Sequence, residues 1–164
     1  MAVRRIISGG QTGGDMGGLL AGRDLGIPTG GTAPLGYRTD EGPAPHLRSF
    51  GLVESSSASY PKRTEQNVAD SHGTLIFGDI TSPGCSLTRR LCGTRQRSMI
   101  HVRWPYPPGE EREAFERAVM RLRSWCEGAR IEILNVAGNR ESSAPGITEA
   151  VRLLLVTALK NQNG

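Results

Sequence analysis

Val3-Arg4-Arg5-Ile6-Ile7-Ser8 runs directly into Gly9-Gly10-Gln11-Thr12-Gly13-Gly14-Asp15, and the helical stretch from Asp15 to Leu25 ends on Gly26-Ile27-Pro28. The first segment, Val3 to Ser8, is a short apolar run of strand length that stops at paired glycines. Asp15 to Leu25 has the length and punctuation of a helix: Gly26 supplies the C-cap, and Pro28 bars continuation. A buried strand that turns through glycines into a helix is the opening unit of a parallel sheet covered by helices.

Working outward, the same alternation continues. Gly30 to Pro45 is rich in Gly, Pro and Thr and has no period, so it reads as a long irregular excursion of the kind that is usually functional. Phe50 to Val53 is a short strand before a Ser-rich turn, Tyr60 to Ser71 a helix, and Gly73 to Phe77 a buried strand. Gly84 to Thr94 reads as a helix, Ser98 to Val102 as a strand and Pro105 to Pro108 as a rigid link. Glu110 to Glu127 is the longest helix, with Phe115, Val119, Leu122, Trp125 and Cys126 along one stripe. Ile131 to Val136 is the last strand, and Pro145 to Lys160 the last helix, with Val151, Leu154, Leu155 and Ala158 facing inward. The expected fold class is therefore α/β: a Rossmann-like three-layer α/β/α arrangement with a mainly parallel sheet, formed by residues 1–164 as a single domain.

Composition narrows the function classes. A chain of 164 residues is long enough for one full hydrophobic core, and 22% charged residues of both signs suit a globular protein rather than a disordered one. The net charge of +4 is mild, basic residues never run longer than two, and aromatic residues are scarce, which argues against nucleic acid as a partner. A modest positive excess does suit an anionic small molecule. Cys85, Cys92 and Cys126 match no zinc or disulfide framework, so no metal site is expected. The apolar start is too short for a signal peptide, and no apolar run approaches a membrane span, so the expected compartment is the cytoplasm, with no membrane partner.

Ligands of such sheets bind outside the carboxyl ends of the strands. Three strand-to-helix junctions carry unusual residues there. In the first, Gly9, Gly10 and Gly13 permit close backbone approach, Gln11 and Thr12 add donors, and the following helix N-terminus favours phosphate. Asp15 either caps that helix or meets a ligand hydroxyl. The loop is not a Walker A sequence, because no Gly-Lys-Ser/Thr ends it. In the second junction, Gly84, Ser86 and Thr88 open a helix in an oxyanion-friendly turn, although Ser and Thr cap helices without any ligand too. In the third, Asn139, Arg140, Glu141 and Ser142 form a polar cluster in which Arg140 is the best charged contact and Glu141 orients it or reads a hydroxyl. Arg63, Asn67 and Asp70 share one helix face, either as a structural network or with Arg63 and Asn67 reaching a ligand. No firm catalytic residue emerges, and Glu65 and Glu141 are the weak candidates for a general acid or base.

Three stretches together carry a resemblance. They are Ile7-Ser8-Gly9-Gly10-Gln11-Thr12-Gly13-x-Asp15, then Arg63-Thr64-Glu65-x-Asn67-Val68-x-Asp70-Ser71 running into Gly73-Thr74-Leu75-Ile76-Phe77, and Leu134-Asn135-Val136-Ala137-Gly138-x-Arg140-Glu141-Ser142-x-x-Pro145-Gly146-Ile147. In that order they resemble the putative molybdenum carrier family. That family is related to the molybdenum cofactor carriers and to the Rossmann-like group of lysine-decarboxylase-like (LOG) nucleotide hydrolases. The chain departs from the family at Met16-Gly17-Gly18-Leu19, where Arg-Ala-Ala-Leu is usual, and at Thr32-Ala33, where Trp-Cys is usual. The hydrolase relatives carry Pro-Gly-Gly-x-Gly-Thr followed by two acids; here Cys85-Ser86-Leu87-Thr88-Arg89-Arg90 follows Pro83-Gly84, with no carboxylate.

The resemblance implies a binding or carrier protein for a phosphorylated, nucleotide-like ligand, with molybdenum cofactor (molybdopterin) or a nucleotide as the cofactor candidates, and a homo-oligomer. The alternatives are a nucleotide-processing hydrolase related to the LOG group and a nucleotide-sensing module. The missing acids favour a carrier without catalysis.

Overall fold

The computed structural model describes residues 2–162. Strand β1 (Arg5–Ile7) is followed by helix α1 (Gly14–Leu25), which ends at Gly26 in the left-handed conformation with φ 70°. Both elements agree with the sequence reading. The next does not. The expected irregular excursion begins with a strand, β2 (Thr29–Ala33), paired parallel to β1. Its sequence, Thr-Gly-Gly-Thr-Ala, lacks the branched apolar residues that mark strands. It is held from outside instead. The side chain of Asn67 accepts from Thr32 N–H at 2.8 Å and donates to Thr32 O at 2.9 Å. The lack of a side chain at Gly31 lets β2 lie against the β1 end, since a Cβ there would fall 2.1 Å from Ser8 O.

The rest of the excursion is also ordered. It forms a small hairpin, β3 (Arg38–Thr39) with β4 (Gly42–Pro43), and a 3₁₀ helix over Pro45–Phe50. Strand β5 (Leu52–Glu54) then pairs parallel to β2. The remaining elements are α2 (Tyr60–Ala69), β6 (Gly73–Phe77), α3 (Pro83–Thr94), β7 (Ser98–Val102), α4 (Glu111–Gly128), β8 (Ile133–Gly138) and α5 (Ile147–Leu159). β8 sits two residues later than expected. Pro145 lies outside α5, whose N-cap is Gly146 with φ 95°.

The six-stranded sheet has the order β5-β2-β1-β8-β6-β7, and every pair in it is parallel. The last strand of the chain is therefore inserted between the first and the fourth of the sheet in chain order. On one face α5 packs between α1 and α4; on the other α2 packs with α3. The main core joins Ile6, Leu75, Phe77, Leu134 and Val136 from the strands to Leu122, Ile147, Leu154 and Leu155 from the helices. Each such side chain contributes about 1.5–3 kcal/mol by leaving water. A second cluster of Leu19, Ala33, Tyr37, Leu47, Phe50 and Leu52 fastens the hairpin and 3₁₀ segment to α1.

Candidate functional site

β1, β8 and β6 are neighbours in the sheet, so the loops that follow them share one rim. Between these loops and the first turn of α2 lies a cleft of about 470 Å³. Gln11 and Asp15 line it from the first loop, Ser82 to Cys85 with Leu87 and Thr88 from the second, and Ala137 to Arg140 with Ser143 from the third. Tyr60, Pro61, Arg63 and Thr64 close the remaining side.

Most amides of the glycine-rich loop, expected to cradle phosphate, are bonded within the protein. Gly10 N–H donates to Ser8 Oγ at 3.2 Å, Gln11 N–H to the Asp15 carboxylate at 3.2 Å and Thr12 N–H to Gln11 Oε1 at 3.0 Å. Gly14 N–H donates to Asn139 O at 3.0 Å. Asp15 thus supplies the negative charge on which the loop closes. Arg63 donates to the same carboxylate at 3.1 Å, and both side chains are largely buried. Burial pushes the Asp15 carboxyl above its ordinary range, and the Arg63 charge and the Gln11 amide offset only part of that rise. Gly9 and Gly13 serve packing. A Cβ on Gly9 would meet the Arg63 guanidinium, and one on Gly13 would lie 2.1 Å from Asn139 O.

In the second loop, Asp79 accepts from Thr81 N–H and Oγ–H, and Ser82 caps α3 by accepting from Cys85 N–H. The first turn of α3, with Gly84, faces the cleft and brings the positive end of its dipole there. Thr88 lines the cleft but donates its hydroxyl to Gly84 O at 2.9 Å. Ser86 lies outside the lining and donates its N–H to Ser82 O.

The third loop divides its polar residues. Asn139 ties it to the second loop, accepting from Asp79 N–H at 2.7 Å and donating to Ser82 Oγ at 3.0 Å. Arg140 is exposed and lines the cleft. Glu141 turns away to cap α5, accepting from Gly146 N–H at 2.6 Å and from Thr148 Oγ–H at 2.7 Å. Those bonds hold its carboxyl below the ordinary range. Glu65 lies outside the cleft, ion-paired with Arg95. Asn67 serves β2, as described above. Neither weak catalytic candidate reaches the cleft.

Two participants escaped the sequence reading. Asp40, at the hairpin tip, accepts from Thr12 Oγ–H at 2.7 Å and Ser142 Oγ–H at 2.9 Å, and its own N–H donates to Gln11 Oε1 at 2.9 Å. Burial pushes its carboxyl up, but the two hydroxyls and the nearby Arg140 outweigh that and hold it below the ordinary range. Tyr60, which the sequence marks only as the start of α2, also lines the cleft. Neither residue belongs to a recognisable ligand motif. His72 sits at the opposite sheet edge, where its ring accepts from Ile133 N–H. Among the described residues, no three His, Cys, Asp or Glu side chains gather to hold a metal ion, and no helix is long and apolar enough to cross a membrane.

Residues 6–159 match the circularly permutated YpsA SLOG family. The chain belongs to this family. Among solved structures, this SLOG chain is similar to a "putative molybdenum carrier protein" from Syntrophus aciditrophicus SB, with 35% identity, a TM-score of 0.87 and 96% of each chain covered. No curated protein matches it. The resemblance read from the three motifs and the Rossmann-like fold class both agree with these matches.

Proposed function

We propose that this protein binds a phosphorylated, nucleotide-like small molecule in the rim cleft and holds it without transforming it. The observation that carries this reading is the convergence of the α3 N-terminus and the Arg140 guanidinium on one cleft, whose only lining carboxylate, Asp15, is already paired with Arg63. Pro83 has no N–H and Cys85 N–H is taken by Ser82, so the donors offered to phosphate or another tetrahedral oxyanion are Gly84 N–H at the positive end of the helix and the Arg140 fork. Molybdate and the phosphate tail of a pterin cofactor present the same chemistry, so the molybdenum-carrier name of the related structure is compatible with these donors. An acid–base reaction needs a carboxyl free to exchange a proton near the substrate. Glu65 and Glu141 are engaged elsewhere, which favours carriage over catalysis.

A thermal-shift screen tests this against phosphate, molybdate, nucleoside mono- and diphosphates and a molybdopterin source, with Arg140→Ala alongside. A ligand at 100 times its Kd adds about 2.7 kcal/mol, or roughly 5–10 °C for a chain of this size. A shift lost in Arg140→Ala supports the reading. A folded protein that responds to none of these compounds refutes it.

A further inference from the structure

Tyr60 stands at the start of α2 with three guanidinium groups around its ring. The Cζ atoms of Arg38, Arg63 and Arg140 lie 5.7, 5.6 and 5.5 Å from the ring centroid. They come from three separate parts of the chain: the hairpin, α2 and the β8–α5 loop. Their compensation is unequal. Arg63 has Asp15 at 3.1 Å. Among the described residues, the side chains of Arg38 and Arg140 make no ion pair and donate no hydrogen bond. Asp40 draws on the field of Arg140 but spends its oxygens on Thr12 and Ser142.

Attraction to one aromatic ring is worth about 0.5–1 kcal/mol per exposed cation. It orients guanidinium groups but does not neutralise them. Arg38, without an ion-pair partner, and Arg140, offset only in part by nearby Asp40, leave a positive potential beside the cleft with ten N–H donors and no acceptor. The hairpin that carries Arg38 is pinned by Asp40 to the first and third loops, so the Arg38 backbone is anchored beside the cleft.

We infer that Arg38, which shares the Tyr60 ring with Arg140, forms a second anion-binding subsite beside the cleft, so that the ligand carries two linked phosphates, as in a nucleoside diphosphate or another diphosphate ester. This inference rests on the proposed phosphate binding within the cleft. The inner phosphate meets the α3 start and Arg140, which both line the cleft, and the outer one meets Arg38. Arg38 then reads the length of the anionic chain, and Tyr60 is a positioning residue that both arginines share.

Inorganic phosphate and inorganic pyrophosphate test this without requiring the correct base. Binding is measured by calorimetry at fixed ionic strength, because screening alters every such contact. Pyrophosphate is expected to bind the natural protein about tenfold tighter than phosphate or better, the effect of one or two charge-assisted contacts. Arg38→Gln is expected to remove most of that advantage and leave phosphate binding within about twofold. Tyr60→Leu, which keeps all three charges, is expected to reduce the same advantage by loosening the arginines. Arg48→Gln, an exposed arginine over Tyr37 and outside the cleft, controls for net charge. If Arg38→Gln weakens both anions equally, or leaves the pyrophosphate advantage intact, the second subsite is overturned and the single-phosphate reading stands. If neither anion binds at millimolar concentration to a folded protein, both readings fall.

Discussion

Replacing Arg63 with methionine isolates the energetic role of the buried ion pair at the centre of the rim. Methionine keeps an unbranched apolar stem of similar length but removes the guanidinium that lies over Gly9, so the main change is loss of the charged group. The partners lie 3.1 Å apart, with side-chain exposures of 13% for Arg63 and 5% for Asp15. Removing one member of such a pair leaves the other buried and unmatched, which costs about 3–5 kcal/mol. For a chain of this size that corresponds to a fall in Tm of roughly 6–20 °C. Asp15→Asn in the same background removes the stranded charge, so the double variant should be more stable than Arg63→Met alone.

The pH dependence has a definite sign. Burial already raises the Asp15 carboxyl, and Arg63 is the main influence opposing that rise. A carboxyl whose folded-state pKa lies above its unfolded value binds its proton more tightly in the folded chain. Such a group therefore adds stability as pH falls through its folded pKa and loses it as pH rises. Without Arg63 the pKa rises further, so the deficit of Arg63→Met should be widest in mildly alkaline buffer and should narrow as the pH falls into the acid range. Urea unfolding across that range measures it. A deficit below about 1 kcal/mol, a deficit independent of pH, or simple additivity with Asp15→Asn would each refute the claim that this pair bears on stability through charge.

Other changes follow from the same contacts. Gly9→Ala places a methyl group where the Arg63 guanidinium lies, so it should reproduce the thermal loss and pH trend of Arg63→Met although no charge is removed. Asn67→Ala leaves the Thr32 N–H and C=O without partners beneath α2; urea unfolding should show a loss of about 3 kcal/mol. Glu141→Gln should weaken the α5 cap by about 1 kcal/mol at neutral pH. Because the Glu141 carboxyl is lowered by Gly146 and Thr148, its contribution is present above its unfolded pKa and is lost as pH falls through the folded one. The natural protein and Glu141→Gln should therefore converge in acid stability curves.

The regular elements were legible because each buries its own periodic apolar residues. Gly73–Phe77 is buried throughout, and α5 carries Val151, Leu154, Leu155 and Ala158 inward as its spacing requires. β2 was not legible, because its strand character is imposed by contacts rather than composition. Asn67 lies 35 residues from Thr32, and the glycines that seem to forbid a strand are what allow two backbones to meet. The hairpin and 3₁₀ segment were hidden for a related reason. Their cluster of Tyr37, Leu47, Phe50 and Leu52 has no period of its own and acquires one only against α1.

Residue type also left open whether each polar side chain on the rim serves a ligand or the fold. Asn139, Glu141 and Ser142 read alike in sequence. They diverge only because Asp79, Gly146 and Asp40 arrive as partners from elsewhere in the chain. The glycine-rich loop follows the same logic. A phosphate cradle needs amides without acceptors, whereas here Asp15 ends the loop and folds its carboxylate back onto Gln11 N–H. An acid at that position therefore means that the loop is satisfied internally. The remaining positive potential lies at the α3 N-terminus and Arg140, beside a second loop that carries no carboxylate from Ile80 through Thr88. With no acid there, no carboxylate of that segment repels an anion at that end of the cleft, which is what the proposed binding requires.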